Sequence, residues 1–359
     1  MTPLRVPTIP NSPLDSAQHA QSFGYLQLRR NTALDFVENA AFDPGLAVYD
    51  DSYQNSQAHS HLFVQHMSAV LDLLKGQFPR GSKMVEVGCG KGDFVQLVEA
   101  DGYFSVTGYD ATYEGAHPKI EKRYLTSHDR LDADVIVLRH VLEHVQQPHN
   151  FLGMLKTVFS TGSIYIEVPS HDWILANQAF FDITYEHVNY FSEVALSRLF
   201  STQSSVTGRF FGEQYQYIIA PIEDLAEDFG IQYDSEAWVA LEFDSMFPAL
   251  ARRIDELDRL VEAPARIYLW GAATKGCMFL VHCQNQGKLI EKVGFAVDIN
   301  PNKCGKVLPG SLVPIKDRRA FFSEALPNDL LLIANPNYGA EIRQELMEQG
   351  LTTLRVEHL

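Results

Sequence analysis

Short apolar runs alternate with glycine turns and helical stripes through most of this chain. Between Ser82 and about Pro221, strands are predicted at Met84–Val87, Val106–Tyr109, Val135–Leu138 and Ser163–Val168, with a late pair near Ser205–Phe211 and Gln216–Ala220. That order reads as a doubly wound α/β sheet finished by antiparallel edge strands. Pro264 opens a second unit of the same kind. There RIYLWGAATKG, Arg266 to Gly276, reads as strand, glycine turn and helix. Further strands follow at Val293–Val297, Leu330–Ala334 and Leu354–Val356, and a helix from about Gly339 to Gln349 stops at Gly350. Ahead of the first unit, about Tyr25 to Gly76 reads as mostly helical, with Leu62, Met67, Val70, Leu71 and Leu74 at helical spacing. Between the units, Asp234 to Glu262 carries one apolar stripe and reads as one helix, or two broken at Pro248. The expected architecture is an arm and helical cap over 1–76, a doubly wound domain over 77–222, a helical connector over 223–263, and a smaller Rossmann-like α/β lobe over 264–359.

Composition narrows the function. With 359 residues, 46% hydrophobic and 21% charged, the chain is long enough for two sizeable cores of ordinary globular type. A net charge of −16 argues against a nucleic-acid polymer or an anionic membrane as partner, and leaves a small molecule. No apolar segment approaches a membrane span, and MTPLRVPTIPNSPLDSAQ lacks the apolar core of a signal peptide. A cytoplasmic protein is expected. Cys89, Cys277, Cys283 and Cys304 form no C-x-x-C pair, so neither a zinc site nor a disulfide framework is predicted, and no metal is expected. The polar and aromatic stretch Tyr49 to His61 reads either as a loop over a ligand or as a connector. Nothing in the sequence specifies an oligomeric state.

Candidate chemistry centres on MVEVGCGKGDF, Met84 to Phe94. A strand ends in Glu86, Gly88, Gly90 and Gly92 follow at alternate positions, and helical periodicity resumes at Phe94. Glycine is required where the backbone takes positive φ or must lie against a ligand. An acid followed by G-x-G-x-G resembles motif I of class I S-adenosylmethionine (SAM) methyltransferases. The likeness implies that Glu86 and the three glycines hold SAM. The next strand ends at Asp110, placed to accept both ribose hydroxyls. The third strand delivers Arg139, His140, Glu143 and His144 to the same crevice. In class I methyltransferases that position lines the junction of SAM and substrate, so Arg139 and His140 are expected at the cofactor and His144 at the chemistry. A denser cluster, FFDITYEHVNYFS, holds Asp182, Tyr185, Glu186, His187 and Tyr190. A histidine beside a carboxylate and phenols suits proton abstraction and stabilisation of an oxyanion.

Three blocks then resemble the sugar C-methyltransferases, which methylate nucleotide-linked 4-keto-deoxysugars. They are IEVP with FDITYEHVNYFS (Ile166 to Ser192), YLWGAATKG (Tyr268 to Gly276) and VDINPNKCGKVLPGSLVPI (Val297 to Ile315). The resemblance implies that a base removes the proton beside a ketone and that the enolate carbon takes the methyl of SAM. On that reading His187 is the base and Glu186 orients it. Tyr185, Tyr190 or His144 would stabilise the enolate oxygen. Gly271 and Lys275 lie in the second glycine turn, which reads either as a phosphate or nucleotide turn contacting the acceptor through the Lys275 charge or as a tight turn packing that lobe against the first domain. Tyr215, in the region that binds substrate in the family, would contact the acceptor. This chain departs from the pattern in three ways. No cysteine precedes Cys89, so the family's N-terminal zinc domain is expected to be absent or without metal. FFGEQYQYIIA stands where the family has a glycine-glycine-serine-leucine-arginine segment. One residue fewer separates Tyr185 from Glu186 than the family pattern prefers. Alternatives from the sequence are an O- or N-methyltransferase on the same fold, or a SAM-binding scaffold without catalysis.

Overall fold

The structure, a computed structural model, describes residues 3–47, 60–201, 204–227 and 237–359. The loop expected over Tyr49 to His61 lies outside the described residues up to 59.

The N-terminal region departs from the helical expectation. β1 (Leu4–Pro7) pairs antiparallel with β2 (Phe23–Leu26), and β3 (Leu28–Asn31) pairs with β4 (Phe36–Asn39). Burial here has period two: Gly24, Leu26 and Leu28 are inside, while Tyr25 and Gln27 between them are exposed. The Asn31 side chain accepts from the N–H groups of Ala33 and Leu34, which turns the chain back at the β3–β4 hairpin. Only α1 (His61–Gln77) meets the helical expectation. Ser60 caps it by accepting from the Phe63 N–H, and Phe63, His66, Met67, Val70, Leu71 and Leu74 form its buried face.

The first α/β unit follows its predicted pattern. It runs β5 (Lys83–Val87), α2 (Asp93–Asp101), β6 (Ser105–Tyr109), β7 (Ile120–Glu121), β8 (Val135–Arg139), α3 (Pro148–Phe159) and β9 (Ser163–Pro169). Next come α4 (His171–Ala176), β10 (Asn189–Phe191), α5 (Glu193–Ser197), β11 (Val206–Phe210) and β12 (Tyr215–Pro221). Seven strands form one sheet in the order β11-β12-β9-β8-β5-β6-β7, in which β12 alone runs against the others and pairs antiparallel with both β11 and β9. Side chains alternate between two cores. Val85, Ile136, Ile164 and Ile166 pack toward α3, while Met84, Val135, Val137 and Tyr165 pack toward α1 and α2.

The predicted long connector is not continuous helix. β13 (Trp238–Ala240) pairs with β3, and two helices follow, α6 (Phe243–Met246) and α7 (Leu250–Leu260), split around Pro248. β10 in turn pairs with β4, so a four-stranded sheet, β10-β4-β3-β13, ties the N-terminal region to both later parts of the chain.

The C-terminal lobe has β14 (Ile267–Trp270), α8 (Thr274–Asn285), β15 (Val293–Val297), β16 (Ile315–Lys316), α9 (Arg318–Glu324), β17 (Leu330–Ile333), α10 (Gly339–Glu348) and β18 (Arg355–His358). Its five parallel strands run β16-β15-β14-β17-β18, the Rossmann-like arrangement expected. Phe180, Phe181 and Ile183 of the first α/β unit share one apolar cluster with Phe279, Leu280 and Cys283 of α8. The two units are therefore held together by a common core, and the carboxyl ends of both sheets border one cleft.

Candidate active site

A single cavity of about 560 Å³ is lined by both glycine turns, a volume within the range for small-molecule sites. On the wall formed by the first α/β unit lie Glu86, Gly88, Cys89, Gly90, Arg139 and His140. Gly88 has φ 77° and a Cβ there would meet Val141 Cγ2 at 2.5 Å; Gly90 has φ 55°. Gly90 N–H donates to Asp110 Oδ2 at 2.8 Å, and Thr112 donates twice to Oδ1, so Asp110 braces the glycine loop. Asp110 and Gly92 were expected to face the cofactor; both stand just behind the cleft wall, and Gly92 (φ 80°) starts α2. Cys89 is a buried filler whose thiol is pushed up by burial, as expected of a packed residue rather than a nucleophile.

Buried polar atoms in this wall fit SAM. Glu86 is 2% exposed, and burial pushes its carboxyl up to about 7; its Oε2 has no hydrogen-bond partner among the described residues. Neither do Nε and Nη2 of Arg139, whose guanidinium lies 4.7 Å over the Phe94 ring. A carboxylate and a guanidinium beside a glycine loop match the ammonium and carboxylate of the methionine part of SAM.

Behind Arg139 stands a charge cluster that the sequence did not reveal. Glu167 is fully buried on β9, facing α1 because it lies two residues from Tyr165 and so shares that face of the strand. It accepts from the Tyr165 hydroxyl at 2.6 Å, and lies 3.1 Å from His66 Nε2, 3.2 Å from His140 Nε2 and 3.5 Å from Arg139 Nε. Burial raises its carboxyl, but Arg139 and the two histidines outweigh that and hold it well below the usual range. Burial likewise pulls His140 down, yet Glu143 and Glu167 together lift it to about 9. His140 is thus an imidazolium at neutral pH, with Glu143 3.5 Å from its Nδ1. The one signal in the sequence was a lone glutamate inside the apolar strand SIYIEVP. Nothing marked His66 as its partner, because α1 is about a hundred residues away in the chain.

The second cluster divides. His187 and His144 reach the cleft, their rings 4.9 Å apart and edge to face. His187 Nδ1 faces the carbonyl oxygen of Asp182 at 3.3 Å, and His144 Nδ1 faces that of Glu186 at 3.0 Å. A carbonyl only accepts, so each Nδ1 carries a proton and each Nε2 is the basic nitrogen. Burial pulls both imidazoles down to about 4, so both are neutral at pH 7. Glu186 lines the cleft, but the group that holds His187 Nδ1 is the Asp182 carbonyl, which corrects the orienting role expected of Glu186.

The two phenols do not reach the cleft. Tyr185 is fully buried beneath the N-terminal region; its hydroxyl accepts from Asp43 N–H at 2.7 Å and its ring packs on Gly24, where a Cβ would clash. Tyr190 accepts from Thr184 N–H and donates to Thr184 O, both at 3.0 Å, which closes the loop ahead of it. Both are structural, and neither faces a site where an enolate oxygen could form. Tyr215 does line the cleft, stacked on Phe211 and edge-on to His140 at 4.5 Å.

From the C-terminal lobe, Gly271 (φ 114°), Ala273 and Lys275 form the opposite wall. Lys275 Nζ lies 2.6 and 2.7 Å from the two carboxylate oxygens of Asp182, so its charge is already neutralised across the lobe interface. Asp298, at the end of β15, was also missed; it accepts from Ala272 N–H at 3.1 Å and lies 3.5 Å from Lys303 Nζ. Two sets of side chains, His66–His140–Glu167 and Glu143–His144–His187, gather atoms of metal-binding type. In the first, the atoms pair with one another and with Arg139.

A glycine loop with a strand-end acid, opening on a cleft with paired imidazoles, defines a class I SAM-dependent methyltransferase. Comparison with known proteins makes the assignment more particular. Residues 58–203 match the methyltransferase domain family, and residues 247–352 match the C-methyltransferase C-terminal domain. The chain thus carries a methyltransferase domain followed by a C-methyltransferase C-terminal domain, which bears out the resemblance read from its motifs. SAM is its cofactor. C-methyltransferase NovU of Streptomyces niveus is 27% identical over 324 residues, 80% of this chain and 75% of NovU. Among solved structures, the CurJ carbon methyltransferase is 15% identical, covering 50% of this chain and 58% of its own, with a TM-score of 0.33. A putative methyltransferase in complex with the Haloferax volcanii Trm112 activator is 10% identical, covering 48% and 97%, with a TM-score of 0.38. Among the described residues, no helix is long and apolar enough to cross a membrane.

Proposed function

We propose that the protein methylates a carbon beside a ketone on a small metabolite, with a nucleotide-linked keto-deoxysugar as the acceptor class. The observation that carries this reading is the pair of neutral imidazoles, His187 and His144, in the same cleft as the Glu86–Gly90 turn and the Gly271 turn. When bound, SAM supplies an electrophilic methyl group. Glu86 and Arg139 would hold its amino-acid end, and Asp110 keeps the glycine loop in the shape that receives it. His187 Nε2 takes the proton from the acceptor carbon, while the Asp182 carbonyl stabilises the imidazolium through Nδ1–H. His144, once protonated or through water, is the cleft group suited to the enolate oxygen, since Tyr185 and Tyr190 are elsewhere. Lys275 is engaged with Asp182, so acceptor contacts on the second wall fall to the backbone of the Gly271 turn and to Tyr215 from the hairpin.

The test is incubation of the enzyme with SAM and a panel of nucleotide-linked keto-deoxysugars. The expected result is a mass gain of one methyl and, without SAM, solvent deuterium exchange at the carbon beside the ketone. Methylation of oxygen or nitrogen acceptors with no exchange at carbon would overturn it.

A further inference from the structure

Resting on the assignment of His187 as base, we propose that Lys275 of the C-terminal lobe is a positioning residue for His187, acting through Asp182. The chain of contacts is short. Lys275 is the second residue of α8, and its ammonium grips both oxygens of the Asp182 carboxylate from across the cleft. The ammonium also lies 4.5 Å over the Phe181 ring. Asp182 ends a short 3-10 helix, Phe180–Asp182, and its carbonyl is the acceptor that faces His187 Nδ1. From Ile183 to Val188 the chain has no helix or strand of its own. It is pinned by Tyr190 to Thr184, by Tyr185 to Asp43, by Thr184 Oγ1 to the His187 N–H, and by Lys275 to Asp182. Lys275 is the pin among these that comes from the C-terminal lobe.

Geometry makes that pin matter. The His187 Nδ1 contact is 3.3 Å, already at the long end for a hydrogen bond, so a small shift of Asp182 breaks it. A carboxylate buried like Asp182 and deprived of its cation would move toward water or toward Gln214, whose Nε2 lies 3.4 Å away. Gln214 is itself bonded to Asn337 of the C-terminal lobe, so the same linkage reports how the lobes sit.

Lys275 also acts on the charge of His187. The groups facing that ring are His140, Glu143 and His144 from the end of β8, Asp182 and Glu186 from its own segment, and Lys275 from α8. Burial is the largest cause that keeps His187 neutral, and the charges of His140 and Lys275 add to it. Replacing Lys275 by methionine keeps the chain length, removes that charge and leaves the Asp182 carboxylate unpaired. The proton affinity of His187 then rises.

The experiment compares wild type with Lys275→Met, Lys275→Arg, Asp182→Asn and His187→Ala. It measures kcat and acceptor KM against pH, SAM affinity by calorimetry, and thermal unfolding. Lys275→Met is expected to lower kcat roughly 10–100-fold, the scale of a misplaced catalytic group, with acceptor KM within about threefold and SAM affinity unchanged. The acidic limb of its pH profile should move to higher pH, and Lys275→Arg should restore both readouts. Asp182→Asn, which keeps the shape of the site, should lose kcat without that upward move. A raised acceptor KM with kcat and pH limb unmoved would make Lys275 an acceptor ligand and overturn the proposal. So would lowered thermal stability with unchanged kinetics. If Lys275→Met does not fold, wild-type kcat in Asp182→Asn is the overturning result. Near-normal turnover in His187→Ala would instead remove the base assignment itself, whereas an inactive His187→Ala beside a fully active Lys275→Met removes only the link.

Discussion

Glu167→Gln gives the most direct test of the buried charge cluster. The wild-type carboxylate is fully buried and faces Arg139, His140, His66 and the Tyr165 hydroxyl within 2.6–3.5 Å. Removing one partner of a buried ion pair typically costs about 3–5 kcal/mol. Glutamine keeps an acceptor oxygen, so the lower end applies, about 3 kcal/mol, or roughly two powers of ten in the unfolding constant. The pH dependence carries the signature. His140 titrates at about 9 in the folded protein, against about 6.5 for an unperturbed histidine. Its raised value therefore adds stability that is fully present below about pH 6.5 and is lost as pH climbs through 9. In the variant His140 keeps Glu143 but loses Glu167, so its proton affinity falls. The stability gap between wild type and variant should shrink between pH 6.5 and 9. Urea unfolding at several pH values across that window, with an NMR titration of His140, reads both effects. Equal stability at pH 6.5, or a gap that does not vary with pH, would refute the reasoning.

Other outcomes follow from the same geometry. Gly90→Val should abolish SAM binding in calorimetry, since φ of 55° and the hydrogen bond to Asp110 are both lost to a β-branched residue. Asp110→Ala, which removes the charged acceptor that braces the Gly90 N–H, should weaken SAM through the loop by roughly 1.5–3 kcal/mol; unchanged binding in both variants would refute the SAM site. His187→Ala should cut turnover by roughly 10²–10⁴-fold and abolish solvent deuterium exchange at the acceptor carbon, with SAM affinity unaltered. Wild-type activity should fall as pH drops through about 4, where His187 gains its proton; because its folded value is depressed, stability falls over the same range, from about 6.5 downward. Chelation should leave turnover unchanged, and stoichiometric metal lost together with activity would show that Glu143, His144 and His187 act as ligands instead.

Local rules decided much of this protein in advance. The glycine loop, the strands of the two larger sheets other than the two-residue β7 and β16, and the helical stripe of α1 were legible because strand and helix periods and glycine turns are written within a few residues of one another. Glu86, Gly88, Gly90, Arg139, His140 and His144 were expected at one crevice by the rule that open α/β sheets bind at the carboxyl ends of their strands. His187 was picked out instead by its polar neighbours, and that Gly271 of the second lobe lines the same cleft was not foreseen by that rule. What the sequence withheld depends on contacts between distant segments. The strands β3 and β4 are short and form one four-stranded sheet only because β10 and β13 arrive from distant parts of the chain to pair with them. Tyr185 and Tyr190 share a motif with His187 yet point into packing, since Gly24, Asp43 and Thr184 offer them partners that composition cannot show. Glu167 meets His66, and Asp182 meets Lys275, across about a hundred residues each. Only folding brings those charges into a desolvated space where a few ångströms decide which histidine is charged and which is neutral.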